Sequence, residues 1–480
     1  MTELNATEAD VAVTQCPVAH GKTARVHGRL PLPPGPKGMP IVGVAPNIMR
    51  DPFGYLPKLV RRYGDIVTVP FPAVRIILVS NADYVNRVFN GDPDVYSHYH
   101  EIAEVAGMPG GPKPLPVLEG QQWKRHRGVM HKPFTERKLK AATPVITAAL
   151  EHAITAWDRM ADTGEWIEMQ HEIGIVTMSA LMHSMFGGTW NDAQIADWVE
   201  RTLEHGKLMA RSMAIYPLFW RLPKGQQIYL HAPIPLLNRG RRNLQVMKRL
   251  VDDMIVARKA TPTDSSDVLN QLLGATFDDG TTFTYEELRS EMITLLFAGF
   301  DTTAAVLSWT LGLLALNPHE CDKAYAEVDA LARTSFGYGD LPQLTYLRAC
   351  FDEAQRLQGA PFNARFATQD DEIDGYRVPK GAIVITSLHA MHRDHRYWNK
   401  PEEFRPERFL GDDIDKYAFM PFGVGPRRCL GMRMAYLEGV SALANILARY
   451  HFEVPGGWQP KHSYHLSTGL KTLPMRLYRR

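Results

Sequence analysis

The chain has 480 residues, of which 45% are hydrophobic and 22% charged, a composition typical of a globular protein with a large buried core. Its formal net charge of +2 gives no reason to expect nucleic acid or an acidic membrane surface as a partner. The four cysteines are far apart and form no CxxC pair, which argues against a disulfide framework or a cysteine zinc site and favours a reducing, cytoplasmic location.

The N-terminal residues 1–30 have the composition of a flexible tail. This tail contains no apolar run that could serve as a signal peptide or anchor, so no transmembrane anchor is expected. A single domain is predicted over residues 31–480. Its β-rich parts are expected at about 40–80, 363–390 and 455–480, and the remainder is expected to be α-helical.

The longest predicted helix begins after Thr284, which forms a capping-box pattern with Glu287 three residues later. It follows a predicted β-hairpin at 65–80 and a mostly helical stretch that continues to about residue 360. The apolar run 292–316 within this helix is long enough to span a membrane. Because Asp301 lies at its centre, where a carboxylate in lipid is costly, we interpret it as a buried core helix.

Asp301 and Thr302 stand side by side in the middle of this apolar helix. A carboxylic acid beside an alcohol is suited to proton delivery, because the acid relays protons and the hydroxyl positions water or bound oxygen. Gly299 nearby leaves room for a small ligand. The alternative is structural: a threonine bonded to its own helix and an aspartate reaching toward water.

Cys429 lies in the glycine-rich loop FGVGPRRCLG, just before another predicted helix. Glycines let a flat ligand approach the backbone closely. Backbone N–H groups and the positive end of the following helix both favour a thiolate, which is a strong metal ligand. The loop therefore predicts one thiolate held rigidly toward a bulky group, unless the cysteine is only structural.

Two other patterns have less specific meanings. Glu353 and Arg356 are three residues apart on one helical face and can form an ion pair. His389, His392 and His395 also follow at intervals of three, which suggests a zinc site. Only the first two of these histidines share a helix face, however, and no HExxH motif is present.

Taken together, the chain from about residue 30 to its end resembles the cytochrome P450 family. FGVGPRRCLG resembles the family's haem loop F-x-x-G-x-R-x-C-x-G, with matches at Phe422, Gly425, Arg427, Cys429 and Gly431. AGFDTT resembles the oxygen-activating stretch, EAQR resembles E-x-x-R, and WKRHR resembles the W-x-x-x-R helix. The implied fold is mainly α with a smaller β-rich region, and a long central helix lies over the haem.

The resemblance implies a role for each matched residue. Cys429 is expected to be the axial ligand of the haem iron, and Asp301 with Thr302 the acid–alcohol pair. Contacts to the haem and its propionates are expected from Trp123, Arg127, Arg365, Arg427, Phe422, Gly425, Gly431 and Gly299. A buried structural network behind the haem is expected from Glu353, Arg356 and Arg408. The substrate is expected to contact the 95–118 loop and Ala298, Phe300, Pro361, Phe362 and Thr468.

The implied activity is that of a haem-thiolate monooxygenase, which uses haem b and O2 to insert one oxygen atom into an apolar small molecule such as a fatty acid, terpenoid or steroid. One alternative is a peroxide-driven hydroxylase, or a coupling or rearranging enzyme, on the same fold. Family members of that kind often lack the acid–alcohol pair that this sequence contains. Another alternative is a non-catalytic haem sensor, which has no use for a proton relay.

The resemblance also implies separate redox partners, because the chain continues only a short way past Cys429, too short for a fused reductase. A ferredoxin or flavodoxin with its reductase, fed by NAD(P)H, is expected to dock on a monomer of this chain. The predicted docking surface is basic and contains Lys124, Arg125, Lys132, Arg137, Lys138, Lys140, Arg428 and Arg433. The alternative is a solvated basic surface with no partner.

Overall fold

The protein is described by a computed structural model. The residues that it describes are 30–480 without 41, 52, 72–73, 99–111, 214, 217–218, 220–221, 264–266, 412–413 and 465–467. The predicted N-terminal tail, apart from residue 30, therefore lies outside the described residues.

Helices form most of the structure, as the sequence predicts. Within the described residues they are α1 (Ala45–Arg50), α2 (Tyr55–Tyr63), α3 (Ala82–Asn90), α4 (Gly120–Met130), α5 (Glu136–Thr155), α6 (Asp158–Thr163), α7 (Met169–Phe186), α8 (Asp192–Met213), α9 (Gly225–His231), α10 (Pro235–Ala260), α11 (Val268–Leu273), α12 (Tyr285–Leu316), α13 (Pro318–Ala330), α14 (Thr345–Gln358), α15 (Leu388–Met391) and α16 (Met432–Arg449). Short 3-10 turns lie at Leu115–Val117, Lys132–Phe134, Tyr338–Asp340 and Pro406–Phe409.

The strands are short and belong to several small sheets. In the described part of the chain they are β1 (Ile66–Phe71), β2 (Val74–Val79), β3 (Tyr96–Ser97), β4 (Ile167–Glu168), β5 (Phe362–Ala367), β6 (Asp371–Ile373), β7 (Tyr376–Val378), β8 (Ile383–Ser387), β9 (Tyr450–Glu453), β10 (His462–Tyr464), β11 (Thr468–Leu470) and β12 (Pro474–Arg479). The largest sheet has the order β1-β2-β8-β5-β3, and the smaller ones are β4-β12-β9, β6-β7 and β10-β11.

The five-stranded sheet is built on the predicted hairpin. Strands β1 and β2 pair antiparallel from Ile66 with Val79 to Phe71 with Val74. Successive side chains along a strand point to opposite faces, so Ile77 and Leu78 enter two different hydrophobic clusters on the two sides of the sheet. The β-rich region therefore has a core of its own on each face.

The central helix α12 begins and packs as the sequence predicts. Its capping box is present: the Thr284 hydroxyl accepts from the backbone N–H of Glu287, while the Glu287 carboxylate accepts from the backbone N–H of Thr284. It is the one helix among the described residues that is long and apolar enough to cross a membrane, and most of its apolar stretch is buried. The protein itself covers this helix, which confirms that it is a core helix.

Helix α12 packs most closely on α7 at Gly299. A Cβ atom on this glycine would lie 2.8 Å from both terminal methyl carbons of Leu181. Gly299 was expected to leave room for a ligand. Gly299 lines a cavity beneath α12, and its missing side chain also lets α12 and α7 approach each other.

Candidate functional site

A cavity of about 470 Å³ lies beneath α12, between this helix and the loop 421–431. Cys429 forms part of its floor, and Ala298 and Thr302 of α12 form part of its roof. Strand β5, helix α4 and residues 115–116 close its sides. Several elements that are far apart in sequence therefore converge on the single cysteine of the glycine-rich loop.

The loop around Cys429 has the constrained backbone that its glycines predict. Gly423 and Gly425 have φ angles of 70° and 75°, which favour glycine. A Cβ atom on Gly425 would also lie 2.4 Å from Oδ1 of Asn90, so only glycine fits against the end of α3. The backbone N–H of Cys429 donates to the carbonyl of Phe422 at 2.9 Å, which closes the loop. The cysteine is thereby held in one position.

The Cys429 thiol faces the cavity, although protein atoms surround it closely. Burial raises the pKa of this thiol, while the backbone N–H of Gly431 and the guanidinium of Arg127 act in the opposite direction. Helix α16 begins at Met432, and its backbone N–H also favours the thiolate. The surroundings are therefore prepared for a negative sulfur, and a bound metal cation would supply the remaining stabilisation.

Three arginines line one end of the cavity: Arg127, Arg365 and Arg427. The guanidinium of Arg427 lies 4.4 Å from the centre of the Trp123 ring, and its Nη1 atom is buried without a hydrogen-bond partner among the described residues. Arg127 donates to the backbone carbonyl of Arg428 at 2.9 Å. The predicted Trp123, Arg127 and Arg427 are thus brought together.

Arg365 completes this group from strand β5. Its guanidinium lies 4.6 Å from the centre of the Phe89 ring and donates to the carbonyl of Ala364 at 2.9 Å. Burial lowers the pKa of Arg365 to about 10, and repulsion by Arg427 acts in the same direction. Burial also lowers the pKa of Arg427 to about 10, and repulsion by Arg127 acts in the same direction. Glu119 is the carboxylate that offsets both charges. The group is therefore short of negative charge.

His98 belongs to the 95–118 loop that was predicted to contact substrate; it lines the cavity, although the prediction did not name it. Burial lowers its pKa to about 3, and the charges of Arg365 and Arg427 act in the same direction. The imidazole is therefore neutral at physiological pH and adds no fourth positive charge. No periodic pattern or motif marks this residue individually, because it follows the two-residue strand β3 in a loop.

The predicted network of Glu353, Arg356 and Arg408 is present, and its two α14 members, Glu353 and Arg356, are fully buried. Arg356 donates to both oxygens of Glu353 at 2.6 and 2.8 Å, and Arg408 Nε donates to Glu353 Oε1 at 3.0 Å. Arg356 also donates to the carbonyls of His392 and Pro401 at 2.5 and 2.8 Å. Arg356 and Glu353 have no exposed surface, and every donor has an acceptor nearby, so the network is structural.

The structure separates Asp301 from Thr302. Thr302 faces the cavity and donates to the carbonyl of Ala298 at 2.9 Å. Asp301 is buried and borders a separate small space with Gly174 and Leu203, toward α7 and α8. Because successive helix residues point about 100° apart, adjacent positions need not share a site. A proton would reach Thr302 from Asp301 only through water or a change of side-chain rotamer.

Of the five predicted substrate contacts, Ala298, Pro361 and Thr468 line the cavity. Phe300 is buried beside the small space of Asp301, and Phe362 is half exposed and lies outside the cavity. These two placements were wrong. For Phe362 the reason is strand alternation: Arg365 faces the cavity, so 363 faces it too and 362 does not.

Asn363 is the residue that the prediction missed at this wall. It lines the cavity, and its Nδ2 atom is buried without a hydrogen-bond partner in the part of the chain that the structure describes. Counting back two residues from Arg365 would have found it. Most of the 95–118 loop that was predicted to contact substrate lies outside the described residues, although Leu115 and Pro116 line the cavity.

The zinc interpretation of the histidine run receives no support. His392 donates from Nδ1 to the carbonyl of Arg356 at 3.1 Å, and His389 lies beside Arg393. Burial lowers the pKa of both histidines well below the usual value. No group of three metal-binding side chains occurs among the described residues.

Two side chains of the predicted basic surface, Arg125 and Lys140, pair with other residues of the chain. Arg125 lies 3.8 Å from the centre of the Phe277 ring, donates to Thr281 at 2.6 Å and is 3.7 Å from Asp279. Lys140 pairs with Glu136 at 2.8 Å. Arg125 is therefore held by its own chain and contributes less to a docking surface than a free side chain would.

Comparison with known proteins agrees with this arrangement. The family model for Cytochrome P450 matches residues 33–478. The chain is 29% identical over 440 residues to "Putative cytochrome P450 132" of Mycobacterium tuberculosis, covering 86% of this chain and 91% of that protein. It is 28% identical over 456 residues to "Cytochrome P450 3A5" of Homo sapiens, covering 89% and 87%. With "Cytochrome P450 3A1" of Rattus norvegicus it shares 27% over 458 residues, covering 90% and 88%.

Proposed function

This chain belongs to the cytochrome P450 family, and we propose that it oxidises an apolar small molecule with electrons delivered by a ferredoxin or flavodoxin. Family membership makes it a monooxygenase that uses haem and O2. The substrate class, the redox partners and the roles of individual residues are our proposal. The observation that carries it is the meeting of one cavity-facing cysteine with three arginines whose positive charge is only partly offset.

The residues present fit a haem. A haem carries two propionate carboxylates, and the cavity holds three arginines at one end whose charge is only partly offset. Buried Arg427 Nη1, which has no partner among the described residues, would donate to one of these carboxylates. Arg127, Arg365 and Trp123 would complete the propionate site, and Cys429 would bind the iron.

When bound, the haem supplies the oxygen-transfer chemistry, and thiolate ligation favours cleavage of the O–O bond. The chain itself provides position and protons. The Thr302 hydroxyl faces the cavity and would hold a water there, while Asp301, behind it, would supply protons through intervening water. The Glu353–Arg356 network would keep α14 and the segment before the cysteine loop in place.

An apolar substrate fits the upper part of the cavity. Ala298, Val306 and Leu295 of α12 give this part an aliphatic surface. The polar side chains that line the cavity away from the arginines are Glu291, Thr294, Thr302, Thr303, Gln355, Gln358, Asn363 and Thr468. Such a surface suits a fatty acid, terpenoid or steroid whose binding depends on apolar area and which one or two hydrogen bonds orient.

For the redox partner we propose the basic surface at α4 and α5, in a cytoplasmic setting, with Lys124, Lys132, Arg137 and Lys138 rather than Arg125 as its main members. Complementary charge would raise the association rate of an acidic partner and make it sensitive to salt. Changing Lys124 to Glu should slow reduction by the partner without changing substrate affinity. Unchanged reduction at low salt would contradict the docking surface.

The first test is the absorption spectrum of the dithionite-reduced protein with carbon monoxide, produced with ample haem. A strongly red-shifted Soret band would show haem with a thiolate ligand, and its loss in Cys429→Ala would assign that thiolate to Cys429. Cys350→Ala is the matched control, since this buried cysteine lies away from the cavity and should leave the band unchanged. A protein without any haem band would overturn the proposal.

A further inference from the structure

A chain of three titratable side chains leads from the surface of α12 into the cavity, away from Asp301. Glu287 is 27% exposed, and its Oε1 atom lies 3.9 Å from Nε2 of His126. Nδ1 of His126 lies 2.7 Å from Oε1 of Glu291. Glu291 is almost fully buried and lines the cavity.

The contacts of each of the three side chains suit proton transfer. Glu287 uses Oε2 for the capping box at Thr284, which leaves Oε1 directed at His126. His126 is buried on α4, where the Phe277 ring stacks on it and the Phe283 ring meets it edge-on. Of its two nitrogens, Nδ1 lies nearest Glu291 and Nε2 lies nearest Glu287.

The charges around this chain are few. On α12 they are Glu287 and Glu291, on α4 Arg125, and on the 277–283 turn Asp279, which is 3.7 Å from Arg125. Both carboxylate oxygens of Glu291 also accept from the backbone N–H of Leu115, at 2.9 and 3.1 Å. Burial raises the pKa of Glu291, so its carboxyl can hold a proton closer to neutral pH than an exposed glutamate can.

We propose that Glu287, His126 and Glu291 form a proton route from solvent into the cavity, independent of Asp301. The inference rests on the proposed function, because it supplies protons to the oxygen chemistry of that same cavity. The Asp301 carboxylate borders a separate space, so a second source of protons on the cavity wall has a clear use.

The transfer balances in protons and involves no electrons. Burial acts to raise the pKa of Glu287, but its hydrogen bonds with Thr284 lower it overall, so this carboxyl is protonated only transiently. The transient proton passes to Nε2 of His126 across one bridging water or after a small rotation of the partly exposed Glu287 side chain. The imidazole gives the proton on Nδ1 to Glu291, and Glu291 passes it to a water in the cavity. The imidazole is then neutral with its proton on Nε2. When the ring turns so that this N–H faces Glu291 and the bare Nδ1 faces Glu287, it can accept the next proton that Glu287 takes from solvent.

Two substitutions interrupt the route while keeping its contacts. In Glu291→Gln the side-chain carbonyl can still accept from Leu115, but it cannot carry a proton. In His126→Asn an amide N–H can still donate to Glu291, but no second nitrogen accepts from Glu287. Asp279→Asn is the matched control, because it removes a nearby carboxylate that pairs with Arg125 and does not touch His126.

The holoenzyme needs no known substrate for the first measurement. During NAD(P)H oxidation through a ferredoxin and its reductase, O2 leaves either as peroxide, which takes two protons, or as water, which takes four. Proton transfer by a positioned side chain contributes roughly 10²–10⁴-fold, and the Asp301 route runs in parallel, so we expect about 3- to 10-fold more peroxide per NAD(P)H in both variants. Asp279→Asn should match the wild type.

Infrared difference spectra provide a readout that does not depend on turnover. The wild type should show a protonated carboxyl band that shifts in D2O, appears as pH falls and is absent from Glu291→Gln. Unchanged peroxide in both variants, or no such band between neutral pH and the acid limit of folding, would overturn the proton route. So would increased peroxide accompanied by equal loss of haem and thermal stability, since that pattern marks a structural role.

Failure of the proposed function would look different. In that case the wild type itself would lack the thiolate–carbon monoxide band, whereas failure of the proton route leaves this band intact and changes only the comparison between variants. The spectrum is therefore recorded first on every protein.

Discussion

This molecule contains two groups of arginines that differ in how many hydrogen-bond acceptors surround them. The Arg356 guanidinium donates to the Glu353 carboxylate and to three backbone carbonyls, those of His392, Pro401 and Glu403, and Arg408 shares the same carboxylate. Arg427 and Arg365 lie near other positive charges, which the Glu119 carboxylate offsets in part. The Nη1 atom of Arg427 has no hydrogen-bond partner among the described residues. Counting acceptors thus separates an arginine that holds the fold from one that awaits an anion.

The largest expected effect follows from breaking the satisfied group. Arg356→Leu leaves two carbonyls and part of the Glu353 carboxylate buried without donors, which should lower the free energy of unfolding by about 3–5 kcal/mol. Denaturant unfolding of the purified protein measures this change. Arg348→Leu, on the same helix but exposed and 3.8 Å from Asp352, should cost less than about 1 kcal/mol. Equal losses in the two variants would contradict the comparison.

Removing an arginine from the unsatisfied group should act in the opposite direction on the haem-free protein. Arg427→Gln relieves repulsion with Arg127, so the haem-free protein should be as stable as the wild type or more stable. Haem should transfer to an excess of apomyoglobin about 10- to 100-fold faster, because a charge-assisted hydrogen bond to a propionate is lost. Arg433→Gln, at an exposed position of α16 outside the cavity lining, should change neither quantity. A destabilised haem-free Arg427→Gln would place this arginine with the structural group.

The satisfied group should also show a specific sensitivity to acid. Burial lowers the pKa of His392 from 6.5 to about 3, and Arg356 acts in the same direction. Below pH 6.5 the unfolded chain binds a proton here that the folded protein does not, so stability falls with pH until about 3. His392→Gln should reduce this slope by up to about 1.4 kcal/mol per pH unit. Unfolding measured at pH 6.5, 6 and 5 tests it, and parallel slopes would exclude a neutral His392.

The smallest expected effects come from strand β5, where Arg365 belongs to the unsatisfied group and Asn363 stands two residues before it. Asn363→Leu should change the affinity for a ketone-bearing steroid such as progesterone about fivefold relative to a matched hydrocarbon, because one hydrogen bond is worth about 1 kcal/mol. Phe362→Ala should change neither affinity, since its side chain lies outside the cavity. Spectral titration of both ligands decides this, and a larger effect at Phe362 would mean that the strand faces the other way.

The elements that sequence reasoning predicted well are those whose residues carry local rules. The capping box at Thr284, the β1–β2 hairpin and the loop around Cys429 each depend on neighbours within a few residues, and all three are present. The sequence motifs likewise predicted that Glu353, Arg356 and Arg408 lie together, and these three side chains are hydrogen-bonded in the structure. The family and the mainly helical fold followed from these features.

The errors concern directions of side chains, which spacing alone does not give. Asp301 and Thr302 are adjacent in sequence but turn to different spaces, because a helix rotates between them. Gly299 lines the cavity but also lets Leu181 approach, a residue more than one hundred positions away, and no pattern near Gly299 indicates this second contact. His98 and His126 were missed for the same reason: their importance depends on partners from other elements.

The register of strand β5 has a consequence for how this enzyme can change over evolutionary time. Asn363 and Arg365 are held on one face of the same strand, so an insertion or deletion in the loop before it would turn both away from the cavity together. We therefore expect ligand preference to vary through single substitutions at position 363 and the length of the 359–361 loop to stay fixed. Lineages of this enzyme should therefore differ in side chains along that strand far more readily than in its length.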